Sequence, residues 1–107
     1  MTTKKKPEKL QNILEKIKLC IANGKYILTI HALERQLERI ITLPETLHVL
    51  KTGYEEKRKT SFDHEQNTWK YAIRGKTIRN EFDVRVIVAF EESELLIITV
   101  MYIEELS

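Results

Sequence analysis

The hydrophobic period of this chain changes once, at Gly53, and the change divides the fold in two. Up to Gly53 the apolar residues recur at steps of three and four, the spacing that lines one face of an α-helix. Beyond it they recur at every second residue, the spacing that lines one face of a β-strand. A chain patterned this way brings helices from its first half onto a sheet made largely from its second half, which is the α+β class.

In the first half, Leu10, Ile13, Leu14, Ile17, Cys20 and Ile21 form one stripe and predict an amphipathic helix from Glu8 to Asn23, stopped by Gly24. Cys20 falls within that stripe, so it reads as a small buried hydrophobe and not as a nucleophile. Tyr26 to Ile30 is a short β-rich run leading into a second helix, which carries His31 in its first turn and ends near Ile40. Thr42 then reads as an N-cap, with Pro44 in the first turn and Glu45 placed three residues on to close a capping box. The third helix turns Leu43, Leu47 and Leu50 inward, stops at Gly53, and forms an αα-hairpin with the second.

In the second half, Tyr54–Phe62 is polar enough to be an exposed edge strand, and residues 63–67 make a turn. Trp69, Tyr71 and Ile73 alternate with Lys70, Ala72 and Arg74 in a strand ending at Gly75, and residues 76–81 form a polar loop. Phe82, Val84, Val86, Val88 and Phe90 then alternate with Asp83, Arg85, Ile87 and Ala89, and an acidic turn leads into the nearly all-apolar strand Leu95–Met101. The expected order is α-β-α-α-β-β-β-β. Its short turns favour a mainly antiparallel sheet with the helices on one face.

A length of 107 residues supports one domain, read as a flexible basic tail over residues 1–7 and a folded unit over residues 8–107. The net charge of +2 gives a weak overall field, so nucleic-acid binding would have to come from local clusters. A single cysteine excludes an internal disulfide and any multi-cysteine zinc site. The three histidines are scattered, so no metal or other cofactor is expected. No apolar run approaches the roughly 18–20 residues needed to cross a membrane. The basic start Met1–Lys6 leads into a mixed helix and not into an apolar signal core, so the expected location is cytoplasmic, with no membrane partner.

His31, Arg35 and Arg39 are spaced i, i+4, i+8 and lie along one face of a helix. One imidazole and two guanidiniums in a row suit an anionic ligand such as a phosphodiester, because arginine offers fixed donors to phosphate oxygens and histidine moves protons. The plainer reading is a solvated face paired through Glu34 and Glu38, with His31 as its cap. On the strands, Lys70 and Arg74 share parity and Arg85 belongs to the less apolar face of the next strand. Paired, the three would form one basic face for an RNA backbone, or they simply mark the solvent side of a half-buried sheet. Trp69 and Tyr71 read as core, with base stacking as their other use. The run Lys57-Arg58-Lys59 is either a binding surface or a guard against edge-to-edge aggregation. His48 reads as a surface or packing residue and His64 as a turn residue.

The ordered set His31, Ala32, Arg35, Arg39, Gly53, Gly75, Val86-Ile87-Val88-Ala89-Phe90-Glu91 and Ile97-Ile98-Thr99-Val100 resembles the small bacterial proteins of the domain of unknown function 4258 family, over Tyr26 to about Tyr102. That family is similar in fold to the RelE/ParE toxins and their BrnT- and MqsR-like members. The resemblance implies a RelE-like α+β fold and the toxin of a type II toxin–antitoxin pair. It further implies a metal-independent mRNA endoribonuclease, and as partners RNA and a cognate antitoxin with a YgiT-type zinc finger. The resemblance would make His31 a catalytic base or acid and give Arg85 the second catalytic position, where relatives often carry histidine. Arg35, Arg39, Lys70 and Arg74 would hold phosphate. Met101 stands where relatives often have tyrosine, and Tyr102, one step on, faces the other side of the sheet unless the strand bulges. The alternatives are a non-catalytic RNA- or protein-binding module of the same fold, or a toxin that acts on a protein such as gyrase, as ParE-like relatives do.

Overall fold

Five strands follow the third helix, one more than the alternation predicts, because the polar run after Gly53 is not continuous. A computed structural model describes residues 6–104 of the chain. It contains α1 (Ile13–Ala22), β1 (Tyr26–Leu28), α2 (Ile30–Arg39), α3 (Leu43–Thr52), β2 (Tyr54–Glu55), β3 (Ser61–Asp63), β4 (Thr68–Lys76), β5 (Asp83–Glu91) and β6 (Glu94–Tyr102). The sheet runs β1-β6-β5-β4-β2, with β3 also pairing with β4, and only β1–β6 is parallel. The class is therefore α+β with a mainly antiparallel sheet, as expected.

The predicted strand over 54–62 becomes two short pieces on one edge of β4, separated by a turn at residues 57–59. Between them the Glu56 amide donates to the Ala72 carbonyl and the Thr60 hydroxyl accepts the Ala72 amide, so the β4 edge stays satisfied across the break. The first helix is also shorter than predicted. It begins at Ile13 and not at Glu8, because Asn12 sits in the left-handed region and the Leu10 amide donates to the Tyr71 hydroxyl at 2.9 Å. Leu10 is accordingly exposed and lies outside the helix whose apolar stripe its spacing predicts it to join. At its far end α1 closes as predicted on Gly24, which takes φ +67° while the Gly24 and Lys25 amides return to the Ile21 and Cys20 carbonyls.

The residues that alternate inward meet as one core: Tyr71 and Ile73 from β4, Val84, Val86 and Val88 from β5, and Leu95, Ile97 and Val100 from β6. Ile13, Ile17, Ala32, Val49 and Leu50 cover them from the helices. The step from Ile97 to Val100 spans an irregularity: Val88 pairs with Ile97 and Ile87 with Thr99, leaving Ile98 as an extra residue. Cys20 is half-buried at the margin of this core, its thiol 3.7 Å from the Ser93 carbonyl.

The second and third helices diverge and do not pair as a hairpin. α2 packs on β6, whereas α3 packs on β4, β5 and α1. They meet at a hydrogen bond from the buried Thr46 hydroxyl to Gln36. Thr29, and not His31, caps α2: its hydroxyl accepts the Ala32 amide and donates to the Ile98 carbonyl. Thr42 caps α3 as predicted, but Glu45 does not complete the box, since its carboxylate takes the Ile78 amide at 2.8 Å and ties α3 to the loop after β4. Between the helices Ile40 adopts φ 54° and ψ 47°, a left-handed conformation costing a β-branched residue about 1–3 kcal/mol.

β1 covers only the first part of the β6 edge. Past it, the Ile98 carbonyl is held by Thr29 and the Val100 carbonyl by the Arg39 guanidinium. Arg39 thus closes a sheet edge that would otherwise lie open. Replacing it by methionine keeps the aliphatic stem and removes the donor. Urea unfolding is expected to show a loss of about 1–2 kcal/mol; an unchanged midpoint would mean that the edge needs no cap.

Candidate functional site

The face of the sheet away from the helices carries the polar parity of the strands. Arg74 pairs in register with Arg85, and Arg85 with Met101, so these three lie side by side across β4, β5 and β6. Lys70 shares their face, four residues along β4 from Arg74. The three cations do form one face, but it is not a basic one. Arg85 donates to both carboxylate oxygens of Glu56, at 2.6 and 3.1 Å, and its other nitrogen faces the Met101 sulfur. Arg74 binds Asp83 and lies 3.7 Å from Glu56, Lys76 also pairs with Asp83, and Lys70 pairs with Asp63 at 2.9 Å. The arginines hold Glu56 below the usual carboxylate range, chiefly through the hydrogen bonds from Arg85. Lys70 does the same for Asp63, and Lys76 with Arg74 for Asp83. Reading the strands by parity did not reveal these pairings: Asp63 and Asp83 meet their cations from neighbouring strands, and Glu56 reaches the face from the break between β2 and β3, where no period applies.

Beyond Ala89 the same face opens into a cleft of about 670 Å³. Ala89, Leu96 and Ile98 line it from the sheet, Thr29 and His31 from the start of α2, and Gln66, Asn67, Thr68 and Lys70 from the β3–β4 hairpin and β4. Glu91 and Glu92 add acidic groups at its β5 end. The hairpin is shaped by Asp63, whose carboxylate accepts the Glu65 and Gln66 amides, and by Asn67 in the left-handed region. The His31 side chain is exposed and makes no hydrogen bond among the described residues.

Of the residues singled out in the sequence, His31 and Lys70 therefore meet at one cleft. Arg85 lies four residues along β5 from the cleft residue Ala89, about 13 Å at strand spacing. Arg74 stands beside it, so both flank the cleft at a distance. Arg35 pairs with Glu38 at 2.6 Å on α2, and Arg39 serves the β6 edge; neither lines the cleft. Tyr102 turns to the helix side, opposite Val84, where its hydroxyl donates to the Ile40 carbonyl, leaving Met101 on the open face. Although β6 carries an irregularity, it lies before Val100, so the last strand residues keep their alternation.

Tyr71 is core, as read. Trp69 is half-buried at the margin of the core and its ring is not free to stack a base: Lys6 and Lys9 lie over it, and its indole donates to the Pro7 carbonyl at 2.8 Å. Residues 6 and 7 of the predicted flexible tail are thus docked, while residues 1–5 lie outside the described residues. His64 packs edge-on against Phe62 in the hairpin, and Lys57-Arg58-Lys59 is an exposed turn. Among the described residues, no group of three or more His, Cys, Asp or Glu side chains is arranged to hold a metal ion, and no helix is long and apolar enough to cross a membrane.

Three helices on one face of an open, mainly antiparallel sheet, with a cleft on the other face beside the start of α2, define an α+β domain whose distinctive residues run from β1 to the end of β6. The chain belongs to the family described as a domain of unknown function, DUF4258, whose model matches residues 28–102. No curated protein and no solved structure matches it.

Proposed function

We propose that the chain acts on RNA as the toxin of a type II toxin–antitoxin pair, a metal-independent mRNA endoribonuclease restrained by a cognate antitoxin of the YgiT zinc-finger kind. The observation that carries this reading is His31, an exposed imidazole without a hydrogen-bond partner among the described residues, at the rim of a cleft that Lys70 also lines. In such a reaction a base takes the proton of a 2′-hydroxyl, the oxygen bonds to phosphorus, and the bond to the 5′-oxygen breaks as that oxygen gains a proton. His31 fills one of the two proton-transfer roles, and a cation steadies the charged phosphorane. Lys70 is the cation at the cleft, and it can exchange the Asp63 carboxylate for a phosphate oxygen. Arg74 and Arg85 would engage the backbone further along the sheet by giving up Asp83 and Glu56 in the same way.

The second reading, a non-catalytic binding module, is favoured by that same pairing and by Met101 on the open face. The test is induced expression in a bacterial host, comparing wild type with His31→Ala at matched protein levels. Growth arrest with loss of mRNA, both relieved in His31→Ala, is the expected result. Arrest with intact mRNA would instead indicate a protein target. A folded, well-expressed chain that binds RNA without arrest or cleavage would establish the binding module.

A further inference from the structure

Ile30, Leu33 and Leu37 follow one another at three and four residues and form a single stripe along α2, and Ile40 follows at its left-handed end. The stripe does not face the core. Ile30 is 76% exposed, Leu37 and Ile40 are 82% exposed, and Leu33 is about half exposed. It continues beyond the helix, because Tyr102 bonds to the Ile40 carbonyl and its ring meets Phe82 edge-on at 5.7 Å, both rings being exposed. These six residues, main chain and the Tyr102 hydroxyl included, leave on the order of 800 Å² of surface open, against roughly 300–600 Å² for the largest apolar patch of a typical monomer.

Ile40 holds a left-handed conformation that glycine or asparagine adopts far more readily, and its side chain, almost wholly outside, is not repaid by burial within the chain. Ile40 thus adds a large exposed apolar side chain at a position that glycine would fill with less strain.

We propose that this face joins two copies of the chain about a two-fold axis, α2 against α2, with Tyr102 and Phe82 extending the contact. The area is of the size a dimer needs: a specific, stable interface takes about 800 Å² from each partner, and one patch exposes an area of that order. A two-fold contact places the same surface on both sides, so one continuous apolar patch needs no second complementary surface. His31 projects roughly 140° around α2 from the centre of the stripe, so each copy keeps its cleft open in the dimer.

Sedimentation of the whole chain from about 1 to about 300 μM is expected to show a monomer–dimer equilibrium, weakened about thirtyfold or more by Leu37→Asp. Leu37 is exposed, so this variant keeps the wild-type circular dichroism. Ile40→Gly separates interface from fold: at a concentration where both proteins are monomeric its melting temperature should rise by a few degrees, while its dimer weakens about tenfold or more. Wild type that stays monomeric across the range, or that dimerises equally well after Leu37→Asp, would overturn the proposal.

Discussion

Gly53→Ala is expected to cost about 3 kcal/mol or more, the largest loss from adding a methyl group at any of the three glycines. The backbone angles at Gly53, φ −82° and ψ −172°, are open to alanine, so conformational strain is not the reason. The reason is space. A Cβ at this position would run into the Arg74 carbonyl oxygen and lie 2.6 Å from that of Val49, both main-chain atoms at the junction of α3 and β4. Neither oxygen can move without shifting the helix end or the strand. Gly75, opposite, would bring its Cβ to 3.2 Å from the Gly53 Cα and 3.3 Å from a side-chain carbon and the carbonyl oxygen of Val49, contacts that ask their neighbours to give by only a few tenths of an ångström. Gly75→Ala should therefore cost only about 1 kcal/mol. Thermal unfolding of the pair tests the ordering: a drop of about 12–20 °C for Gly53→Ala and a few degrees for Gly75→Ala. Similar, small losses in both would show that α3 and β4 are not held at their closest approach. Because β4 carries Lys70 and Arg74, a shift at Gly53 would also displace the open face.

Glu56→Gln should lower stability at neutral pH by about 2 kcal/mol and flatten its dependence on acid. Glu56 alone neutralises one guanidinium and shares a second, and all three side chains are mostly buried. A neutral amide of the same shape cannot serve Arg85 through two charged oxygens. The acid dependence follows from the sign of the shift. The folded state holds Glu56 and Asp83 below their ordinary values of 4.5 and 3.8, so on acidification the unfolded chain takes up protons first. The stabilisation is complete above those ordinary values and is lost as pH falls from them through the lowered folded values. Wild type should thus lose stability steeply below about pH 4.5, and Glu56→Gln should have a shallower slope there because one of the linked protons is gone. Denaturant titrations from neutral pH into this range measure both quantities. An unchanged slope would show that the pairing does not discriminate between folded and unfolded chain.

The regular parts of the fold were legible because periodicity reports burial. The strand parities around Tyr71, Val86 and Ile97, the Gly24 stop and the Thr42 cap all follow from local physical rules that the tertiary structure leaves intact. What was not legible lay where long-range partners decide. Asn12 and the bond from Leu10 to Tyr71 shorten α1, and tertiary contacts redirect Glu45 and Arg39 from the local roles suggested by their spacing. The candidate site shows the same division. Parity correctly put Lys70, Arg74 and Arg85 on one face, but the carboxylates that neutralise them come from a turn and from neighbouring strands. The apolar spacing of α2 carried an opposite signal: Ile30, Leu33 and Leu37 have helical periodicity, yet the helix turns Ala32 to the core and leaves the larger residues outside. Periodicity identifies a helix face that avoids water; it does not say what covers it.

The position of β6 between β1 and β5 has a consequence for the order in which the molecule can be built. Every neighbour of that strand is synthesised before it. Tyr26–Leu28 must wait for Leu95–Ile97, about two thirds of the chain further on, before pairing, and the starting turn of α2 waits for the Ile98 carbonyl. The nascent chain can form α1, the β4–β5 hairpin and the packing of α3 on that hairpin early, but β1 and α2 have no strand to pack on until the ninth element arrives. The cleft beside His31 is made from both halves and comes into being only with that last piece, so an unfinished polypeptide has no such cleft to offer.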